Sequence, residues 1–287
     1  MLINIKKIIN TLIFILFLVL FLLFSIFSIK NNYLLFHTIS EMFSIIIGYT
    51  IFTIAWVSRN KYEINKSFIF LGISYFFVST LDLLHTLNYK GIDIFKTDRF
   101  YSTELWIATR YVESISLFIF SLIFNKVKRL WAELTFFIYF IITLFITLSI
   151  LEFKIFPTCF IEGKGLTDFK IISEYIISLI LLFSILFLTL KEEKDKKNIS
   201  LIRLSVVFTV LSELSFTLYN DVYSITNAIG HIFKLISFYF IYKSMVRENI
   251  DRPLNFIYDE LKNNINMLKE SNKKLQYIND VKTNFFL

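Results

Sequence analysis

Long apolar runs separated by short polar stretches repeat along most of this chain. Eight can be drawn: 8–29, 33–58, 66–88, 103–124, 132–151, 171–190, 200–219 and 226–246. Each is long enough to cross a hydrocarbon core of about 30 Å as a helix, the form that pairs every backbone N–H and C=O within its own segment. The pattern predicts an all-α integral membrane protein, a bundle of eight transmembrane helices. From residue 251 the beat changes. Leu254, Leu261, Leu268 and Leu275 recur every seven residues, with Tyr258, Ile265 and Asn272 at the complementary position. Leucine at d with one polar Asn at a favours a parallel two-stranded coil of fixed register, so a homodimer through 251–280 is expected. Asp251 ahead of Pro253 marks the helix start. The competing reading of this stretch is an amphipathic helix lying on the membrane. The chain thus divides into a membrane domain over 1–247 and a cytoplasmic coiled-coil helix over 248–287.

Composition agrees with a membrane protein, since 56% of the 287 residues are hydrophobic and the mean hydropathy is +0.64. The net charge of +7 does not point to nucleic acid, because most of the Lys and Arg sit in short loops where they set orientation. Lys6/Lys7, Arg59/Lys61/Lys66, Lys126/Lys128/Arg129, Lys191/Lys194/Lys196/Lys197 and Arg247/Arg252 fall on one side. The other side holds Lys30, Lys90, Lys96, Arg99, Lys154, Lys164 and Lys170, offset by Asp93, Asp98, Glu152, Glu162 and Asp168. The richer side is cytoplasmic, which puts both termini inside. The first run continues to Ile29 with no small-residue cleavage site, so it reads as an uncleaved span rather than a signal peptide. The lone Cys159 excludes an internal disulfide and a cysteine-based metal site, and its loop, 152–170, reads as a plain connector.

Ionisable side chains inside a bilayer are costly and by default mark a site. All three histidines of the chain lie in apolar runs: His37 with Glu41, His85 with Asp82, and His231 with Lys234. Trp106, Arg110 and Glu113 share one face of the fourth run, and Glu213, Asn220 and Asp221 come late in the seventh. Chain direction puts all of them at one level, roughly 5–15 Å below the outer ends of their helices at 1.5 Å per residue. His37, Glu41, Asp82, His85, Trp106, Arg110, Glu113, Glu213 and His231 are therefore expected to form one outer-face ligand site. The bland alternative is an interhelical lock of ion pairs with no ligand. No H-E-x-x-H, phosphate-binding loop or G-x-S-x-G is present.

Three stretches carry a resemblance: FHTISEMFSIIIGYTIFTIAWVSRN from Phe36, FLGISYFFVSTLDLLHTLNYKG over 70–91 and LWIATRYVESISL over 105–117. Together they resemble the third type of membrane-associated sensor domain, a bacterial eight-helix input module fused to histidine kinases, diguanylate cyclases and related outputs. At the other end, NDVKTNFF from Asn279 resembles the entry to the dimerisation and phosphoacceptor helix of a sensor histidine kinase. The resemblance implies a multi-pass protein of the bacterial inner membrane. It also implies that this chain is the sensor part of a kinase, lacking the phosphoacceptor histidine and ATP-binding domain and so not itself an enzyme.

The expected function is signal input, with a change at the outer face passing through the last span into the coil. The cofactor is open. Imidazole and carboxylate suit a transition metal, with His37, Glu41, Asp82, His85 and His231 as candidate ligands, and a polar small molecule or a titrating group would use the same residues. Expected partners are a second copy, membrane lipid and a small ligand or ion, with no nucleic acid. The alternative from another class is a small transporter or channel with an outer-leaflet polar site. Transport sites, however, sit near the midplane on helices broken by Gly or Pro, and those breaks are missing here. An intramembrane enzyme lacks any nucleophile–base or complete metal motif.

Overall fold

The computed structural model describes residues 25, 27–61, 64–92, 94, 101–190, 196–218 and 223–285. It is helical almost throughout. The helices are α1 (Tyr33–Ser58), α2 (Lys66–Leu87), α3 (Tyr101–Ile123), α4 (Ala132–Leu151), α5 (Asp168–Thr189), α6 (Lys196–Ser215), α7 (Ile225–Val246) and α8 (Arg252–Phe285). One turn of π-helix, Arg247–Asp251, joins α7 to α8 without a break. Polar caps start several of them: Asn32 accepts from Leu35 N, Asn65 from Ser67 N, Thr167 from Lys170 N and Ser224 from Asn227 N. Each supplies an acceptor to an amide that the helix leaves unpaired.

Six helices, α1 to α6, are long and apolar enough to cross a membrane. The seventh, α7, has the length but carries Asn227, His231 and Lys234 in its first half. Of the apolar run 8–29, only Ser25 and residues 27–29, all helical, lie among the described residues. Residues Asn220 and Asp221 lie outside them too.

Pairwise packing closes a cycle, α1–α2–α3–α5–α6–α7 and back to α1, with α4 outside it against α2 and α3. Burial reflects that arrangement. In α2, 78% of the apolar window is buried, against 22% in α4. The side chains α4 leaves exposed, Leu134, Phe137, Ile141, Phe145 and Leu148 among them, suit lipid contact. Small residues set the closest approaches, as is usual between membrane helices. A methyl group added at Gly72 would lie 2.1 Å from Ala55 Cβ, and one at Gly230 2.4 Å from the Phe216 ring. Gly48 meets Ser79 in the same way.

The segment between α4 and α5 is more than a plain connector. It folds into an antiparallel hairpin, β1 (Phe160–Ile161) against β2 (Gly165–Leu166), turned through Gly163 at φ +78°, a conformation that favours glycine. Cys159 is fully buried at its base. Burial pushes the thiol well above its usual range, outweighing the opposing effect of nearby Lys170. Since the thiolate is the reactive form, alkylation of native protein by iodoacetamide near pH 8 should run at least about tenfold slower than after denaturation. Mass-spectrometric labelling kinetics check this.

Candidate functional site

Helix direction gathers the ionisable groups at one end of the bundle. The first turns of α1 carry His37 and Glu41, and the last turns of α2 carry Asp82 and His85. The first half of α3 carries Trp106 and Arg110, with Glu113 just past its midpoint, and the first half of α7 carries His231 and Lys234. All nine are 4% exposed or less.

They form a continuous chain of contacts. His231 Nδ1 donates to Glu41 Oε1 at 2.8 Å, and Lys234 Nζ to Glu41 Oε2 at 2.6 Å. The same ammonium lies 2.9 Å from Asp82 Oδ2. Asp82 Oδ1 accepts from Arg110 Nη2 at 2.7 Å, Arg110 Nη1 pairs with Glu113, and Glu113 Oε1 accepts from Tyr75 Oη at 2.8 Å. Four helices, α1, α2, α3 and α7, are thus tied by alternating charge. Charges in a low-dielectric interior are tolerated only when paired in this way. The Trp106 ring lies 4.6 Å from the Arg110 guanidinium and 4.9 Å from Lys234 Nζ, so its π-face adds a further attraction for both cations.

The histidines cluster beside this chain. Nε2 of His37 and Nε2 of His85 are 3.3 Å apart, and His37 packs edge-on to His231 with ring centroids 4.6 Å apart. Tyr89 stacks on His37 at 3.5 Å. His85 Nδ1 lies 2.6 Å from the Ser102 carbonyl oxygen. A carbonyl only accepts, so the hydrogen is on Nδ1 and the Nε2 lone pair faces His37. A cavity of about 20 Å³ adjoins the cluster, lined by His85, Tyr89, Thr103, Trp106, Phe216, Asn227 and His231. It can hold one water or a small ion. Neither Trp106 Nε1 nor His37 Nδ1 has a hydrogen-bond partner among the described residues, although both are buried.

Glu213 joins from α6, but among the described residues it forms no ion pair with a cation. Its carboxyl lies beside that of Glu174 on α5, and no donor among the described residues reaches either of its oxygens. Glu174 in turn accepts from Lys170 Nζ at 2.5 Å. Sequence reasoning missed this extension. Lys170 reads as a loop charge but is buried in the first turn of α5. The i, i+4 spacing of Lys170 and Glu174 at the start of an apolar run is the signal that could have found it.

A second polar assembly lies at the opposite end, where α7 passes into the π-turn. Glu248 accepts from Asn65 N and from Asn198 Nδ2, each at 3.2 Å, and from Arg252 Nη1 at 2.8 Å. Asn249 Oδ1 accepts from Ser58 Oγ at 2.8 Å, and Ser244 Oγ donates to Asn198 Oδ1 at 2.5 Å. The end of α1 and the starts of α2 and α6 are therefore clasped to the joint that leads into α8.

Fold and site together define a multi-pass helical membrane protein with a buried ionic site at one end and a polar clasp at the other. Residues 28–253 match the MASE3 family, described as a membrane-associated sensor domain. The chain belongs to that family. No curated protein and no solved structure matches it.

Proposed function

We propose that this chain is the input part of a bacterial sensor histidine kinase, with eight spans, both termini in the cytoplasm and the ionic site at the outer face of the inner membrane. The site takes a ligand or ion, and the chain itself catalyses nothing. The observation that carries the reading is that one helix, α7, holds both ends of the mechanism. His231 and Lys234 lie in the outer network, and Glu248 and Asn249 come directly after the helix, in the clasp. A helix of 22 residues is about 33 Å long and transmits a shift or rotation as a unit.

The π-turn is where such a motion has somewhere to go. A π-turn holds an extra residue relative to α-helix and is favoured at functional joints, so its resolution into regular helix would rotate α8. That helix leaves Leu254, Leu261, Ile265, Leu268 and Leu275 all exposed. A second copy pairing in parallel through 251–280 covers that seam. Coil rotation or register change is then the output step.

The test fuses the chain to the catalytic part of a histidine kinase and measures autophosphorylation in membrane vesicles. Lys234→Met breaks contacts to both Glu41 and Asp82 and should move basal autophosphorylation about tenfold from the wild-type level, within the range of ordinary allosteric coupling. Asn249→Ala releases Ser58 and should abolish that difference, because the joint then no longer reports the position of α7. Unchanged phosphorylation in a folded Lys234→Met fusion would remove the case for the outer network as the sensing site.

A further inference from the structure

We infer that His37, His85 and Glu41 bind a divalent transition-metal ion, a conclusion that builds on the reading of this end as the sensing site. One nitrogen of each histidine and one oxygen of Glu41 lie within 4.8 Å of one another. The 3.3 Å between the two Nε2 atoms is the edge of a tetrahedron around an ion with Zn–N bonds of about 2.0–2.1 Å. The Ser102 carbonyl fixes the His85 hydrogen on Nδ1 and leaves Nε2 free to coordinate. This is the outer-shell contact that orients metal-bound histidines. In the protein alone, His37 must donate its own Nε2 hydrogen to His85, which leaves its buried Nδ1 without a partner.

Charge points the same way. The connected buried groups include five carboxyls (Glu41, Asp82, Glu113, Glu174 and Glu213) and three cations (Arg110, Lys170 and Lys234). Carboxyls outnumber cations in this network, so its surroundings suit an added cation better than an anionic ligand. The donor set chooses among cations. Two imidazoles and a carboxylate suit zinc or ferrous iron, whereas calcium and magnesium prefer oxygen throughout. Glu41 keeps lone pairs for an ion while accepting from His231 and Lys234. The adjoining cavity, lined by His85, His231 and Trp106, has room for one water as a fourth ligand. Three protein ligands and an exchangeable water make an open site, which suits a site that must load and unload.

The test uses the full chain in lipid nanodiscs. Metal content after equilibration with zinc is measured by plasma mass spectrometry, and cobalt titration of chelator-treated protein is followed by its visible ligand-field bands. The expected result is about one ion per chain and nitrogen-containing, low-symmetry cobalt bands, a readout that needs no variant. His37→Gln and His85→Gln should each lower affinity at least about tenfold, while Glu162→Gln on the exposed hairpin should leave it unchanged. Less than a tenth of an ion in the wild type, or full occupancy in both histidine variants with native helicity, would overturn the inference.

The kinase fusion separates this result from the sensing reading. Response to Lys234→Met without metal binding would overturn the metal site and keep the sensing site. Stoichiometric metal with output indifferent to chelation would keep the metal site and overturn its sensing role.

Discussion

Replacing Arg110 with alanine is expected to destabilise the folded protein by about 3–5 kcal/mol, the range for removing one partner of a buried ion pair. The guanidinium is 1% exposed and forks between Asp82 and Glu113. Without it, among the described residues, Glu113 keeps the Tyr75 hydroxyl and Asp82 keeps Lys234. A loss of that size approaches the whole stability of many proteins, so little folded Arg110→Ala should accumulate. Arg110→Lys should recover only part, since a compact ammonium cannot serve both carboxylates as the planar fork does. The double variant Arg110→Met, Glu113→Gln is more informative. It removes one charge of each sign and leaves Asp82 paired with Lys234, so it should regain about half of the loss. Unfolding followed by circular dichroism in detergent micelles, with each variant compared at its midpoint, measures the series. Equal stability of Arg110→Ala and wild type would mean that Asp82 and Glu113 find other partners or are neutral.

The second large effect concerns α8. Cysteine placed at Leu261 should crosslink to its twin at least about tenfold faster than cysteine at Lys262, because only a and d positions of a parallel coil face the partner. Native Cys159 does not compete, being fully buried. Leu261 is 56% exposed in the single chain, and Leu254, Ile265, Leu268 and Leu275 are exposed with it. A leucine stripe of this length left in water is a strong driving force for pairing. Asn272→Leu should raise the stability of the coil while loosening its register, since a buried Asn at a trades stability for specificity. Oxidative crosslinking in membranes, resolved by gel, distinguishes the outcomes. Equal rates at Leu261 and Lys262 would rule out the parallel seam and favour α8 lying on the membrane surface.

Hydrophobic pattern alone determined the helices. The boundaries read for α1 and α4 coincide with the observed Tyr33–Ser58 and Ala132–Leu151, because an apolar run of spanning length has one way to pair its backbone in lipid. The run of Leu254, Leu261, Leu268 and Leu275, read as a coiled-coil seam, does lie on one helix, Arg252–Phe285, and chain direction placed the histidines and carboxylates at one end. Periodicity says which face of a helix is special, but not which helix that face meets. Only the folded bundle decided that Lys234 lies between Glu41 and Asp82, that α4 stays outside the cycle, and that Glu213 meets Glu174 rather than a cation. Residues near helix ends were the least legible. Lys170, Glu248 and Asn249 look like solvated loop groups in the sequence, and tertiary packing buries them. Their partners lie up to 191 residues away in the chain, a separation over which local pattern carries no information and close packing alone sets the contact.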